Sequence, residues 1–210
     1  MNLRNAILGC VLLGGLSWWY SMRGPDPSYA ATASQGCPLP PATGRLQAPL
    51  QTPVPAGMLA FAAAGATLTP LAGFSVDARV LARQDYRLGR EADLSPTDLA
   101  LGWARMREPA VLSQLHITQS SRWYHYRWDS QPPLPVSDIA RSSANMHMIP
   151  ANAEVAAALA SVRQGDEVRI EGWLVDAHIG DQWRWRSSTT REDSGAGACE
   201  LVYVCAIRRQ

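Results

Sequence analysis

The stretch Asn152-Ala153-Glu154-Val155-Ala156-Ala157-Ala158-Leu159-Ala160-Ser161-Val162-Arg163-Gln164-Gly165-Asp166-Glu167-Val168-Arg169-Ile170-Glu171-Gly172-Trp173-Leu174-Val175 decides the fold. Asn152 is a strong N-cap residue, Glu154 lies in the first turn, and Val155, Leu159 and Val162 form one stripe at helical spacing. Gly165-Asp166 stops that helix. From Glu167 the apolar period changes from helical to two, so a strand follows over Glu167 to Val175. A helix leading by a tight turn into a strand excludes an all-helical chain.

Working outward, two more strands follow at Gln182 to Ser188 and Glu200 to Ile207. Upstream, Phe74 to Ala82 alternates and reads as a strand with one wet face. Ser95-Pro96-Thr97-Asp98 carries helix-start chemistry, with Ser95 as N-cap and Pro96 at the first helical position, and predicts a short helix burying Leu99 and Trp103. Pro109 to Leu115 is a further turn of helix. It feeds a long strand running from His116 through Trp128, and Ser137 caps a short helix around Asp138 to Arg141. The expected fold is α+β: a small, mainly antiparallel sheet or barrel with two or three short helices over residues 67–210. Gly-Asp-x-Val-x-Ile-x-Gly-x-Leu-Val after a helix resembles the phrase found in oligomer-binding (OB-like) barrels.

The chain start carries a different signal. Residues 6–22 are uncharged, Trp18-Trp19-Tyr20 close the apolar run like an interfacial belt, and Arg4 precedes it. The expectation is a transmembrane helix over residues 1–22, contacting the lipid bilayer through residues 6–22. The N-terminus would then be cytoplasmic and the C-terminal domain periplasmic, in a bacterial inner membrane. Cleavage after Ala31-Thr32-Ala33 and lipidation of Cys10 are the rival readings. Residues 23–66 hold Pro25, Pro27, Pro38, Pro40, Pro41, Pro49, Pro53 and Pro55 and read as a stalk or linker, parts of which can lie on the domain.

Composition narrows function mainly by exclusion. All 19 basic residues are Arg against 18 acidic ones, a net charge of +1. No lysine is present for a Schiff base, a P-loop or a kinase site. A nearly neutral surface in that compartment gives no reason to expect nucleic acid. No cofactor and no metal site are expected: Met146-His147-Met148 offers soft donors, but in an extended segment both methionines point away from His147. His116, His125 and His178 stand alone.

Outside the expected span lie Cys37, Cys199 and Cys205. Cys199 and Cys205 share one expected strand, about 20 Å apart, too far for a bond that needs Cα atoms within about 7 Å. A Cys37–Cys199 disulfide is the expectation, with three thiols or an intermolecular bridge through Cys37 as alternatives.

The strongest binding signal is aromatic plus arginine. Alternation places Trp123, His125 and Arg127 on one face and Tyr124, Tyr126 and Trp128 on the other. Trp183 and Trp185 share a face opposite Arg184 and Arg186. If the two strands are neighbours, Trp123, Arg127, Trp183, Arg184, Trp185 and Arg186 form a stacking surface for an envelope protein, peptide or glycan. One face of each strand must also enter the core.

Ser143-Ala144-Asn145-Met146-His147-Met148-Ile149-Pro150-Ala151 and the segment from Ser187 to Glu200 resemble an uncharacterised family of bacterial membrane-anchored proteins. The resemblance runs from about Leu68 to the end and implies an envelope location without an assigned activity. The order His147, helix, Gly165-Asp166, Cys199, Arg208 is similar to that of sortases, exported enzymes with a catalytic His, Cys and Arg. Their Thr-Leu-x-Thr-Cys context is absent, and Cys199 begins a strand where theirs ends one. The leading expectation is therefore a non-catalytic, membrane-anchored accessory or binding module. The alternative is a thiol enzyme with Cys199 as nucleophile, His147 as base and Arg208 at the oxyanion.

Overall fold

A computed structural model describes residues 36–180, 183–190 and 199–210. The expected membrane anchor lies outside these residues, and among them no helix is long and apolar enough to cross a membrane. Among the described residues the chain forms ten strands and four short α-helices. The strands are β1 (Leu50–Thr52), β2 (Phe61–Ala63), β3 (Ala66–Asp85), β4 (Thr97–Gly102), β5 (His116–Ser120), β6 (Trp123–Arg127), β7 (Ser143–Pro150), β8 (Glu167–Ile179), β9 (Trp183–Trp185) and β10 (Glu200–Arg209). The helices are α1 (Arg90–Leu94), α2 (Pro109–Leu112), α3 (Val136–Arg141) and α4 (Ala153–Ser161). The fold is α+β, as the sequence predicts.

Five strands close on themselves. β3 pairs with β4, β4 with β7, β7 with β10, β10 with β8, and β8 again with β3. Every pairing is antiparallel except that of β7 with β10, which is parallel. The parallel step requires a crossover, and β8 with its neighbours supplies it. β3 serves both ends of the circuit because it is 20 residues long and bends at bulges beside Pro70 and between Val80 and Ala82. Pro70, which has no N–H to donate, is tolerated at such a bulge.

The inward face is apolar: Phe74, Val76, Leu99, Leu101, Met146, Met148, Ile170, Leu174, Val202 and Val204 form one buried cluster. α4 closes one end by adding Val155, Leu159 and Val162 to it. Asn152 Oδ1 accepts the Val155 N–H at 2.9 Å and starts the helix, as its position predicts. Arg83 ends it, its Nη1 donating to the carbonyls of Leu159 and, at 2.9 Å, Val162. Gly172 lets β8 and β10 approach, since a Cβ there would fall on the Tyr203 carbonyl.

Two further layers lie outside this circuit. Segment 103–142 folds back over β3 and β4 and buries Leu81, Ala82, Ala100, Met106, Val111, Leu115, Leu134 and Ile139. On the other side Leu68, Ile149, Trp173, Val175 and Leu201 pack beneath Cys37, Phe61, Trp183 and Trp185.

The proline-rich segment, from residue 36, runs along the domain. Pro38 O accepts from Trp173 Nε1 at 2.8 Å, Thr43 N–H donates to Ser75 Oγ at 2.8 Å, and β1 pairs with β3. The face of β3 expected to be wet is consequently dry, with Ser75 and Asp77 both fully buried. Two other expectations are corrected. Thr97 to Gly102 is a strand, because Leu99 and Leu101 fill the interior while Ala100 meets the segment above it, leaving both faces buried. The long strand through Trp128 is a hairpin that reverses at Ser121-Arg122.

Candidate functional site

β4 and β7 lie antiparallel with Asp98 directly opposite His147. Their side chains leave the circuit outward, because Leu99, Met146 and Met148 take the inward positions. Asp98 is completely buried and His147 is 3% exposed. A buried carboxylate needs partners, and three groups converge on it. Arg122 Nη1 donates to Asp98 Oδ1 at 2.8 Å, and Asn145 Nδ2 donates to Oδ2 at 3.3 Å. His147 Nδ1 lies 2.9 Å from Oδ1, yet out of line for a ring N–H hydrogen bond, so this buried nitrogen is left without one.

Arg122 comes from outside the barrel, on the tip of the β5–β6 hairpin. Ser121 and Arg122 form its two-residue loop with φ of 51° and 70°. Two-residue loops of positive φ match the twist of the flanking strands, although Asn and Gly are the residues that favour them. The barrel receives every polar group of Arg122's backbone. Its N–H donates to Tyr86 Oη at 3.0 Å, and its carbonyl accepts from Asn145 Nδ2 at 2.9 Å and from the Cys199 thiol at 3.9 Å. The guanidinium also donates to Ser95 O at 2.9 Å. It stacks 3.8 Å from the Tyr86 ring centre, with Trp185 at 5.3 Å. Burial first, and then the Asp98 charge, raise the Tyr86 phenol above its ordinary pKa.

The aromatic rim continues along β9. Trp185 lies 4.7 Å from His147 and 6.0 Å edge-on to Trp183, whose Nε1 donates to Glu91 Oε1 at 3.3 Å. Trp123, Trp183 and Trp185 are all half-buried. Arg184 and Arg186 point the other way, both to Asp176, at 2.6 and 3.8 Å. β6 and β9 are not neighbours in a sheet: β6 pairs with β5, and β9 with β8. The expected continuous Trp/Arg surface therefore divides. Trp183 and Trp185 belong to this site and Trp123 adjoins its tip, whereas Arg127 sits at the opposite end of the hairpin, beside His116. Tyr124, Tyr126 and Trp128 face the layer built by segment 103–142, as alternation predicts.

The disulfide is Cys37–Cys205, with Cα atoms 5.4 Å apart, and Cys199 keeps its thiol. This replaces the expected Cys37–Cys199 pairing. The strap crosses β10 near Cys205, where Pro38 docks on Trp173, rather than at the end of β10 that carries Cys199. Arg208 lies at the C-terminal end of β10, away from Cys199, and donates to Glu171 at 3.2 Å, so it does not meet Cys199 and His147. Nothing in the sequence marks Asp98, Tyr86, Asn145 and Arg122 as site residues. Asp98 was hidden by a helix-start pattern and Arg122 by an apparently continuous strand.

A second buried cluster, built on Asp77, is structural. Arg107 Nη1 donates to Asp77 at 2.7 Å, Gln210 Nε2 at 2.6 Å and Leu46 N–H at 3.4 Å, and Arg107 also pairs with Glu167. Burial alone would raise the Asp77 pKa, but these donors overcome it and hold it below the ordinary value.

The candidate site thus offers planar aromatic faces around a fixed charge pair, an arrangement suited to stacking and charge-assisted hydrogen bonding. Among the described residues no group of three His, Cys, Asp or Glu is placed to hold a metal ion. The chain matches no family model and no curated protein.

Proposed function

We propose that this chain is a membrane-anchored, periplasm-facing binding module whose recognition face is the partly open rim of Tyr86, Arg122, Trp183 and Trp185 that covers the outer side of β4 and β7. The observation that carries the reading is the half-buried Trp185, packed on His147 and beside Arg122, whose guanidinium also stacks on Tyr86. An aromatic ring left partly open beside a fixed charge pair offers a face on which a planar or sugar-like group can stack. The strand circuit supports it too. Order β3-β4-β7-β10-β8, with a helix after the third strand and one parallel pair, is that of the OB barrel. OB barrels bind oligomers on their second and third strands and the adjoining loops. Here those strands are β4 and β7, and the loops carry Tyr86 and Trp183–Trp185. The ligand class in this reading is a peptide or glycan of the envelope; a net charge of +1 gives nucleic acid no electrostatic pull.

The test is to probe peptide and glycan arrays with the full chain and its variants. Trp185→Ala and Tyr86→Ala lose the bound spots, while Leu59→Ala, at a 77% exposed residue of the strap side, keeps them. Spots that survive both aromatic variants would refute the assignment of this face.

A second reading, a thiol enzyme using Cys199 and His147, has one observation in its favour: Cys199 is a thiol rather than half of the disulfide. Against it, His147 turns Nδ1 to Asp98 and is 3% exposed. Iodoacetamide labelling of Cys199 that slows at least tenfold in His147→Ala would support the enzyme; an unchanged rate removes it.

A further inference from the structure

The groups that hold Arg122 have the chemistry of a guanidinium receptor. Asp98 supplies a fully buried carboxylate and Ser95 a carbonyl, both to Nη1, and Tyr86 and Trp185 supply ring faces. A planar, weakly hydrated fork satisfies such a set; a compact, strongly hydrated ammonium does not. The cation that fills it is not part of the barrel. It arrives on a separate two-stranded sheet that, among the described residues, shares no strand pairing with the barrel; the hairpin packs Ile117, Tyr124, Tyr126 and Trp128 on the layer built by segment 103–142, and its tip hydrogen-bonds the barrel through Gln119 and Arg122. Its loop is also made of the wrong residues for a purely structural turn. Both positions have positive φ, where Asn-Gly is favoured, and yet they are Ser121 and Arg122. A side chain is kept where glycine would be most relaxed, and that side chain reaches the recognition face.

We infer that this pocket is a binding site for arginine side chains, filled in the resting protein by Arg122 as an internal ligand, and that an arginine-bearing peptide of a partner exchanges with it. The inference rests on the reading of this face as the recognition face and names its ligand class. Exchange of one guanidinium for another keeps Asp98 paired in both states, which avoids the large cost of leaving a buried carboxylate alone. A tethered Arg122 competes at the high effective concentration of an intramolecular group, so a single free arginine binds the native chain weakly. Its removal should reveal the site.

The variant that does so is Ser121→Asn with Arg122→Gly, which gives the loop its preferred residues and empties the pocket. The probe is N-acetyl-argininamide, titrated against the full chain and followed by tryptophan fluorescence and calorimetry, with the lysine and citrulline analogues as controls. The double variant binds the arginine probe at least tenfold more tightly than the native chain does. It discriminates against the neutral citrulline analogue, and addition of Asp98→Asn abolishes the binding. A folded variant that binds no probe, or binds arginine and citrulline alike, overturns the inference and leaves Arg122 a structural pin.

If the variant does not fold, hydrogen exchange on the native chain decides. Residues 116–127 exchange at least threefold faster with hexa-arginine than with hexa-lysine, and equal rates overturn the inference. Failure here with Trp185-dependent array binding intact removes only the guanidinium assignment. Array binding that ignores Trp185 removes the recognition face itself.

Discussion

Removal of the Cys37–Cys205 bond is the perturbation whose size follows most directly from the structure. The bond closes a loop of 168 residues in sequence separation, which spans almost the whole described chain. In the chain-entropy treatment a loop of that length is worth about 5 kcal/mol at 25 °C, while native disulfides of small exported domains typically give about 2–5 kcal/mol. The bond also fixes the strap end whose Pro38 carbonyl accepts from the buried Trp173 indole at 2.8 Å. Release of that end puts this hydrogen bond at risk, and an indole N–H left unpaired costs about 1–3 kcal/mol. A loss of about 3–5 kcal/mol lowers the melting temperature of a domain this size by roughly 6–20 °C. The assay is thermal unfolding by circular dichroism of the full chain, oxidised, reduced, and as Cys205→Ser. Cys37→Ser with Cys205→Ser should match the single variant, since one bond is removed in each. Cys199→Ser should shift the melting temperature by less than about 4 °C, as a change outside the bond. Equal melting temperatures with and without reductant, or a large loss only in Cys199→Ser, would refute the pairing.

The Asp77 cluster predicts the acid limb of stability. Its folded pKa lies below the ordinary 3.8, so its contribution is complete above that value and is lost as pH falls through the folded pKa. Asp77→Asn should therefore lower stability at neutral pH and flatten the dependence below about pH 4, measured by urea unfolding across pH; an unchanged acid limb would contradict this. Gly172→Ala forces a Cβ onto the Tyr203 carbonyl across β8 and β10, and a strand pair cannot yield as a surface side chain does. A loss of more than about 3 kcal/mol by denaturant unfolding is expected, and near-neutrality would refute the close approach. Asn152→Ala removes the α4 cap and should cost about 1 kcal/mol, with Asn152→Ser retaining most of the stability.

Much of the fold was legible because its signals were local. Asn152 and the Val155/Leu159/Val162 stripe read as α4, and the alternation of Met146, His147 and Met148 sends the methionines inward and the histidine out. The errors arose where tertiary burial overrode local chemistry. Ser95-Pro96-Thr97-Asp98 has the residues of a helix start, but closure of the barrel needs a strand there and buries all six of its residues. A two-residue reversal at Ser121-Arg122 has no Gly or Asn to announce it, so Asp98's partner could not be found from spacing. Cysteine pairing failed for a simpler reason. Which end of β10 the strap crosses depends on Trp173 and the cluster it forms with Leu68, Val175 and Leu201, which have no signature in spacing.

The most direct test of the account is calorimetric titration of the full chain with the tightest peptide or glycan found on the arrays, repeated with Trp185→Ala. A ring stacked on the ligand at the centre of the face is worth more than about 1.4 kcal/mol, a tenfold weakening. The account predicts at least that loss, with the variant's melting temperature within a few degrees of native. Affinity unchanged within about twofold on removal of the ring, a difference of only about 0.4 kcal/mol, would contradict it.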